Sequence, residues 1–264
     1  MNPSIILGIS SRYLSLYRSS PIRIVELIFW PIVDLLVWGF LALWLAKADA
    51  APGVNAAAFL IGAMILWDAL FRSQQGVAIS FLEDVWTRNL LNVFAAPVRT
   101  SEYLGAMFLV GALRVAFTTT LLTLIALFGY HFNLFELKLA LIPAYANLLI
   151  FGWSLGIVSM SLILRFGHGA ESLAWAVPFV LQPLVCVFYP LSALPNGLQP
   201  VAQALPATHV FESMRATLTN IPSQGSLLTA LALNIFYLAL ASLLLSRTLA
   251  AARSKGFLTK VTSS

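Results

Sequence analysis

From Leu35 to Leu45 the chain reads Leu-Leu-Val-Trp-Gly-Phe-Leu-Ala-Leu-Trp-Leu, with no charged or amide side chain. This run sits inside a longer apolar stretch that begins near Ile24, and similar stretches recur along the chain. A helix needs roughly 20 consecutive apolar residues to cross a bilayer. Lipid offers the backbone no hydrogen bonds, so segments of this kind must be helices or strands of a closed barrel. Barrel strands alternate apolar and polar residues over about ten positions. Neither Leu35–Leu45 nor Leu121–Leu127 alternates, so helices are predicted.

Composition excludes a water-soluble domain. Hydrophobic residues make up 60% of the 264 positions and charged residues 9%, where a soluble domain carries about 25% charged residues. The expected fold is an all-α polytopic membrane protein in one transmembrane domain, 1–264. Six spans are predicted, at about 24–46, 56–80, 103–129, 138–164, 172–190 and 226–247. Ahead of them, residues 4–20 place Ile5, Ile6, Ile9, Tyr13, Leu16 and Tyr17 on one helical face. Ser4, Gly8, Ser11, Ser15 and Arg18 fall on the other face, with Arg12 at the border. That pattern predicts an amphipathic helix lying in the headgroup layer; a surface helix packed on a soluble partner is the other reading. An apolar stretch that begins after this segment, and is longer than a signal-peptide core, argues against a cleaved leader. After the fifth span, Pro190, Pro195, Pro200, Pro206 and Pro222 forbid one straight helix. External re-entrant helices over 190–222 are expected there.

The net charge of +5 orients the chain and gives no sign of nucleic-acid binding, because no basic stripe interleaves with aromatics. Arg12, Arg18, Arg23, Arg88, Arg99, Arg165, Arg247, Arg253, Lys255 and Lys260 fall on one side of the predicted spans. Only Lys47, Lys138 and Arg215 fall on the other. The positive-inside rule then predicts that both termini are cytoplasmic, and six spans satisfy that. Cys186 is the sole cysteine, so no intramolecular disulfide forms. No lysine is followed by Ser or Thr, which removes the phosphate-cradling loop of an ATPase. No zinc-protease pattern surrounds His131, His168 or His209. Neither a catalytic residue nor a metal or cofactor site is expected on this chain.

Polar residues within the spans mark candidate sites, because ionisable groups are costly there. Asp68, Arg72 and Gln75 recur at spacings of four and three and share one helix face. They line a translocation path or subunit interface, or form a buried pair that fixes packing. Glu171, Trp175, Pro178, Gln182, Cys186 and Tyr189 repeat the pattern on the fifth span; helix contact and an interfacial aromatic belt are the plainer reading. Asp34 and Arg114 are a candidate pair between helices. Trp30, Trp38, Trp44 and Trp67 suit sugar stacking, or lipid and core packing.

Between the second and third spans, residues 81–97 mix charge with apolar anchors at helical spacing and end at Pro97. Glu83, Asp84 and Arg88 are expected to face water or a partner. Val85, Trp86, Leu90 and Phe94 are expected to anchor the segment.

Three pieces of sequence carry a family resemblance. They are Asn89-Leu-Leu-Asn-Val-Phe-Ala-Ala-Pro-Val98 followed by Tyr103-Leu-Gly-Ala106, then Phe188-Tyr-Pro-Leu-Ser-Ala-Leu-Pro195, and Ala204-Leu-Pro-Ala-Thr-His209 with Arg215. In order and spacing they resemble the permease of a type-2 ATP-binding-cassette exporter, across essentially the whole chain. The resemblance implies a homo- or heterodimer of permeases in a bacterial inner membrane, docked on separate ATPase subunits that hold ATP and Mg. Residues 83–94 would be the coupling helix, with Glu83, Asp84, Trp86, Arg88, Leu90 and Phe94 meeting the ATPase. The loop 165–171 would be a second contact, and 190–222 the external re-entrant segment. The implied cargo is lipophilic, drug-like or a lipid-linked glycan. An ion-coupled transporter acting alone through Asp34, Asp68 and Arg114 is the alternative from another class, and a scaffold without a path is a third.

Overall fold

The computed structural model describes residues 1–47, 56–134, 140–219 and 225–254. Ten α-helices occur among them: α1 Pro3–Ser19, α2 Pro21–Lys47, α3 Ala56–Trp86, α4 Leu90–Ala95, α5 Thr100–Tyr130, α6 Leu141–Phe166, α7 Glu171–Leu181, α8 Gln199–Gln203, α9 Pro206–Thr219 and α10 Leu227–Ser254. No strand occurs among the described residues.

Short polar signals set where helices begin. Asn2 caps α1 by accepting from Ser4 N at 3.1 Å, and Pro3 and Pro21 open α1 and α2, where a missing N–H costs nothing. Glu102 accepts from the Arg99 amide at 3.0 Å and from the Asn2 amide at 2.7 Å. One carboxylate thus stabilises the starts of α5 and α1 together. α1 turns Tyr13 and Ser10 into the protein, and Ser10 Oγ reaches Ala106 O of α5 at 3.3 Å.

The centre of the bundle is α3, almost wholly buried. Its neighbours approach through glycines. A Cβ on Gly76 would lie 2.3 Å from Gly111 Cα of α5. A Cβ on Gly152 or Gly156 of α6 would lie 2.6 Å from Ser73 or Val77 of α3. This four-residue spacing of small residues lets backbones meet where lipid gives no hydrophobic drive. α2 and α10 form the rim, with Phe29, Trp30, Val37, Phe40 and Trp44 exposed on one and Ile235, Phe236 and Leu240 on the other.

Four described helices are long and apolar enough to cross a membrane: α2, α5, α6 and α10. Two of the six expected spans have a different character. α3 is long but carries Asp68, Arg72, Glu83 and Asp84. The expected span 172–190 is not one helix, because α7 ends at Leu181 and residues 182–189 form turns. Pro183 cannot donate to the helical ladder, and Cys186 adopts a left-handed φ of 57°. Trp38 of α2 covers these turns by stacking on Phe188, with centroids 3.9 Å apart.

Candidate functional site

The expected continuous helix over 83–94 is corrected to two pieces. α3 ends at Trp86, and α4 starts at Leu90. The Arg88 amide donates to Val85 O at 3.0 Å and the Asn89 amide to Asp84 O at 2.9 Å. That pair of bonds closes a helix end around a left-handed residue. The left-handed residue is Arg88, with φ 54°, where glycine is usual.

Glu83 and Asp84 do not face outward as expected. They are 6% and 2% exposed, because the end of α3 is enclosed by α1, α2 and α5. Asp84 gathers donors from three directions. Arg12 Nη2 lies 2.7 and 3.0 Å from its two oxygens, the Tyr13 hydroxyl 2.6 Å and the Tyr103 hydroxyl 2.7 Å away. Burial first, then the Asp84 carboxylate, pushes the Tyr13 hydroxyl well above the ordinary phenol range. Both tyrosines therefore act as fixed donors. Glu83 pairs with Arg23 of α2. Burial holds its carboxyl above the ordinary value, against the opposing pull of Arg23 and Arg114.

What protrudes is the turn itself. Trp86, Thr87 and Arg88 are exposed, while Leu90 is buried as an anchor; the side chain of Phe94 lies outside the described residues. Trp86 Nε1 donates to Glu171 Oε2 at 3.3 Å. That bond sets the turn beside the loop 165–171, where Arg165 and Phe166 are also exposed. Two segments far apart in the chain form one outward-facing patch.

In the middle of α3 the predicted stripe is joined in series. Arg72 Nε donates to Asp68 Oδ1 at 3.1 Å, and Arg72 Nη1 to Gln75 Oε1 at 3.2 Å. All three are buried within this one chain. The adjacent Gln74, which the face pattern did not single out, donates to Ser159 Oγ at 3.0 Å and Ala174 O at 2.8 Å. It ties α3 to α6 and α7. The expected Asp34–Arg114 pair does not form. Asp34 lies in the field of Asp68 and Arg72, and the Arg114 guanidinium sits 4.9 Å from the Tyr17 ring centroid. Of the tryptophans, Trp67 is core and Trp38 is stacked, whereas Trp30 and Trp44 are exposed on α2.

The remaining predicted residues do not share one helix side, since the helix stops at Leu181. Trp175 is exposed on α7, Gln182 caps its end half-buried, and the Tyr189 hydroxyl donates to Pro183 O. α9 holds this irregular backbone. Arg215 Nη2 donates to Cys186 O at 3.1 Å and Tyr189 O at 2.8 Å. Glu212 pairs with Arg215 and accepts from the Leu191 amide at 3.0 Å. Buried carbonyls and amides freed from a helix thus find charged partners.

No protein-family model matches the chain. Over 160 residues, 60% of its length, the chain is 31% identical to ABC transporter G family member 20 of Dictyostelium discoideum. It spans 21% of that relative, about a fifth. That likeness covers part of a chain with four described helices long and apolar enough to cross a membrane.

Proposed function

We propose that the chain is the transmembrane permease subunit of an ATP-binding-cassette exporter. In this reading it moves a lipophilic, drug-like or lipid-linked glycan substrate out of the cytoplasm, and a separate subunit hydrolyses ATP with Mg. The observation that carries the reading is the exposed Trp86-Thr87-Arg88 turn, joined to the loop 165–171 by the Trp86–Glu171 bond. A partner can alter a permease's conformation only through contacts that differ between its states. An exposed turn whose root is tied by Asp84 to α1 and α5 is suited to passing such a difference inward.

The chain then crosses the membrane six times, through α2, α3, α5, α6, α7 with its turns, and α10, with 190–222, of which 220–222 lie outside the described residues, as an external re-entrant cap. Both termini and the patch lie in the cytoplasm, and two permeases assemble with two ATPases. Burial of Asp68, Arg72 and Gln75 inside one chain supports their reading as a packing device.

The test is purification with a tagged ATPase from the same source, followed by transport in vesicles. We expect co-elution of the wild-type pair. Trp86→Ala should retain membrane insertion and lose most ATP-dependent transport. Transport unaffected by that substitution, or driven by a proton gradient without ATP, would overturn the reading.

A further inference from the structure

At the end of the bundle opposite the Trp86 turn, α9 and α10, with Leu191, Gln203 and Gly225, line a half-open cavity of about 330 Å³. Its polar wall includes Thr208, His209 and Glu212 of α9 and Thr229 of α10, and Leu191 and Leu233 line it with apolar surface. Thr208 is 1% exposed, and its hydroxyl has no hydrogen-bond partner among the described residues. A buried hydroxyl on a cavity wall without a partner is costly and calls for one. The His209 ring nitrogen Nε2 lies 2.8 Å from Gln203 O, so a proton sits on Nε2, because the carbonyl can only accept.

The charges around the cavity select its ligand. Glu212, 7% exposed, places a carboxylate on the wall, which repels an anion. A cation is disfavoured too, because Arg215 already pairs with that carboxylate. Thr208 and Thr229 also lie in the first turns of α9 and α10, where helix ends carry partial positive charge. What suits the wall is a neutral molecule with several hydroxyls and one apolar face. Its hydroxyls would meet Glu212, Thr208 and Thr229, and its C–H face Leu191 and Leu233. A few placed polar groups against apolar walls is the usual make-up of a small-molecule site.

We propose that this cavity binds a single pyranose-sized, neutral polyhydroxylated group. The inference rests on the exporter reading for its role, as an exit-side subsite for sugar-bearing cargo, though not for the binding itself. The experiment is a saturation-transfer NMR titration of the purified full chain in nanodiscs. Its probes are methyl glucopyranoside, choline and inorganic phosphate. We expect the glucoside to bind at least about tenfold more tightly than either charged probe. Thr208→Val should weaken it about three- to tenfold, the share of one hydrogen bond. Leu233→Trp should abolish it by filling the space, and Thr229→Val, at an exposed position, is the variant least able to disturb folding and should also weaken binding. Preference for choline or phosphate overturns the proposal. So does glucoside binding that Leu233→Trp and Thr229→Val leave unchanged, or no binding of the glucoside to wild type. Binding is read without any ATPase, so its failure leaves the exporter reading standing, and a failed ATPase co-elution leaves the cavity's ligand standing.

Discussion

The two ends of the bundle solve the same problem with opposite chemistry. At one end a carboxylate, Asp84, collects donors from Arg12, Tyr13 and Tyr103. At the other a guanidinium, Arg215, distributes donors to the carbonyls of Cys186 and Tyr189. The Asp84 partners come from residues 72, 71 and 19 positions away, so that hub locks separate helices together. Arg215 reaches 29 and 26 positions back and holds one irregular stretch in place. The first arrangement ties the root of an exposed turn to two other helices; the second holds broken backbone in place. Each is charged because a buried polar group without a partner is worse than a charged pair with several.

The comparison breaks most sharply at Asp84. Asp84→Ala leaves two buried hydroxyls without their acceptor, while Arg12, 38% exposed, can turn to water; it should cost about 2–4 kcal/mol, at about 1–3 kcal/mol for each unsatisfied buried group. Denaturant unfolding in mixed micelles measures it. A loss below about 1 kcal/mol, the scale of an exposed pair, would mean the hub does not hold α1 to α5. Arg215→Leu should cost about 3 kcal/mol, the lower part of the range for breaking a buried pair. Its signature is local: hydrogen exchange should quicken over 184–194 while α1 stays protected. Faster exchange in α1 as well would erase the distinction between the two ends.

Glu83, beside the hub, sharpens the contrast through pH. Burial raises its folded value above the ordinary carboxyl value of 4.5, so the folded state binds the proton more tightly than the unfolded one. Stability then falls as pH rises from 4.5 through the raised value, and recovers as pH drops. Glu83→Gln should remove that slope. Melting curves across this window check it, and an unchanged slope would assign the titration to another group.

How much of this could be read beforehand depended on locality. The runs that became α2, α5, α6 and α10 were legible because bilayer length leaves an uninterrupted signature. The Asp68–Arg72–Gln75 series was legible for the same reason, being a repeat along one helix. The Asp84 hub was not, since nothing near Asp84 announces tyrosines 71 positions before it and 19 after it. Charge alone suggested an outward face for Glu83 and Asp84, and tertiary enclosure reversed it. The stretch expected as the fifth span is helical only to Leu181, because hydropathy ignores the donor missing at Pro183. The helix break at 87–89 had no local signal at all, since neither glycine nor proline stands there.

That unsignalled break gives the smallest predicted effect and the most informative one. Arg88 holds a left-handed conformation that costs a non-glycine residue about 1–2 kcal/mol, while its side chain is exposed. Were the position purely structural, glycine would serve it better. Arg88→Gly should therefore stabilise the chain slightly, by up to about 1 kcal/mol, while weakening ATPase association by removing a charge from the patch. Arg88→Lys keeps the charge and the strain, so it should leave stability and association near wild type. Thermal melting and co-elution, run on both variants, separate the two effects. A glycine variant that is more stable and docks normally would show that the arginine side chain does nothing at the turn. The patch would then rest on Trp86 and its bond to Glu171 alone.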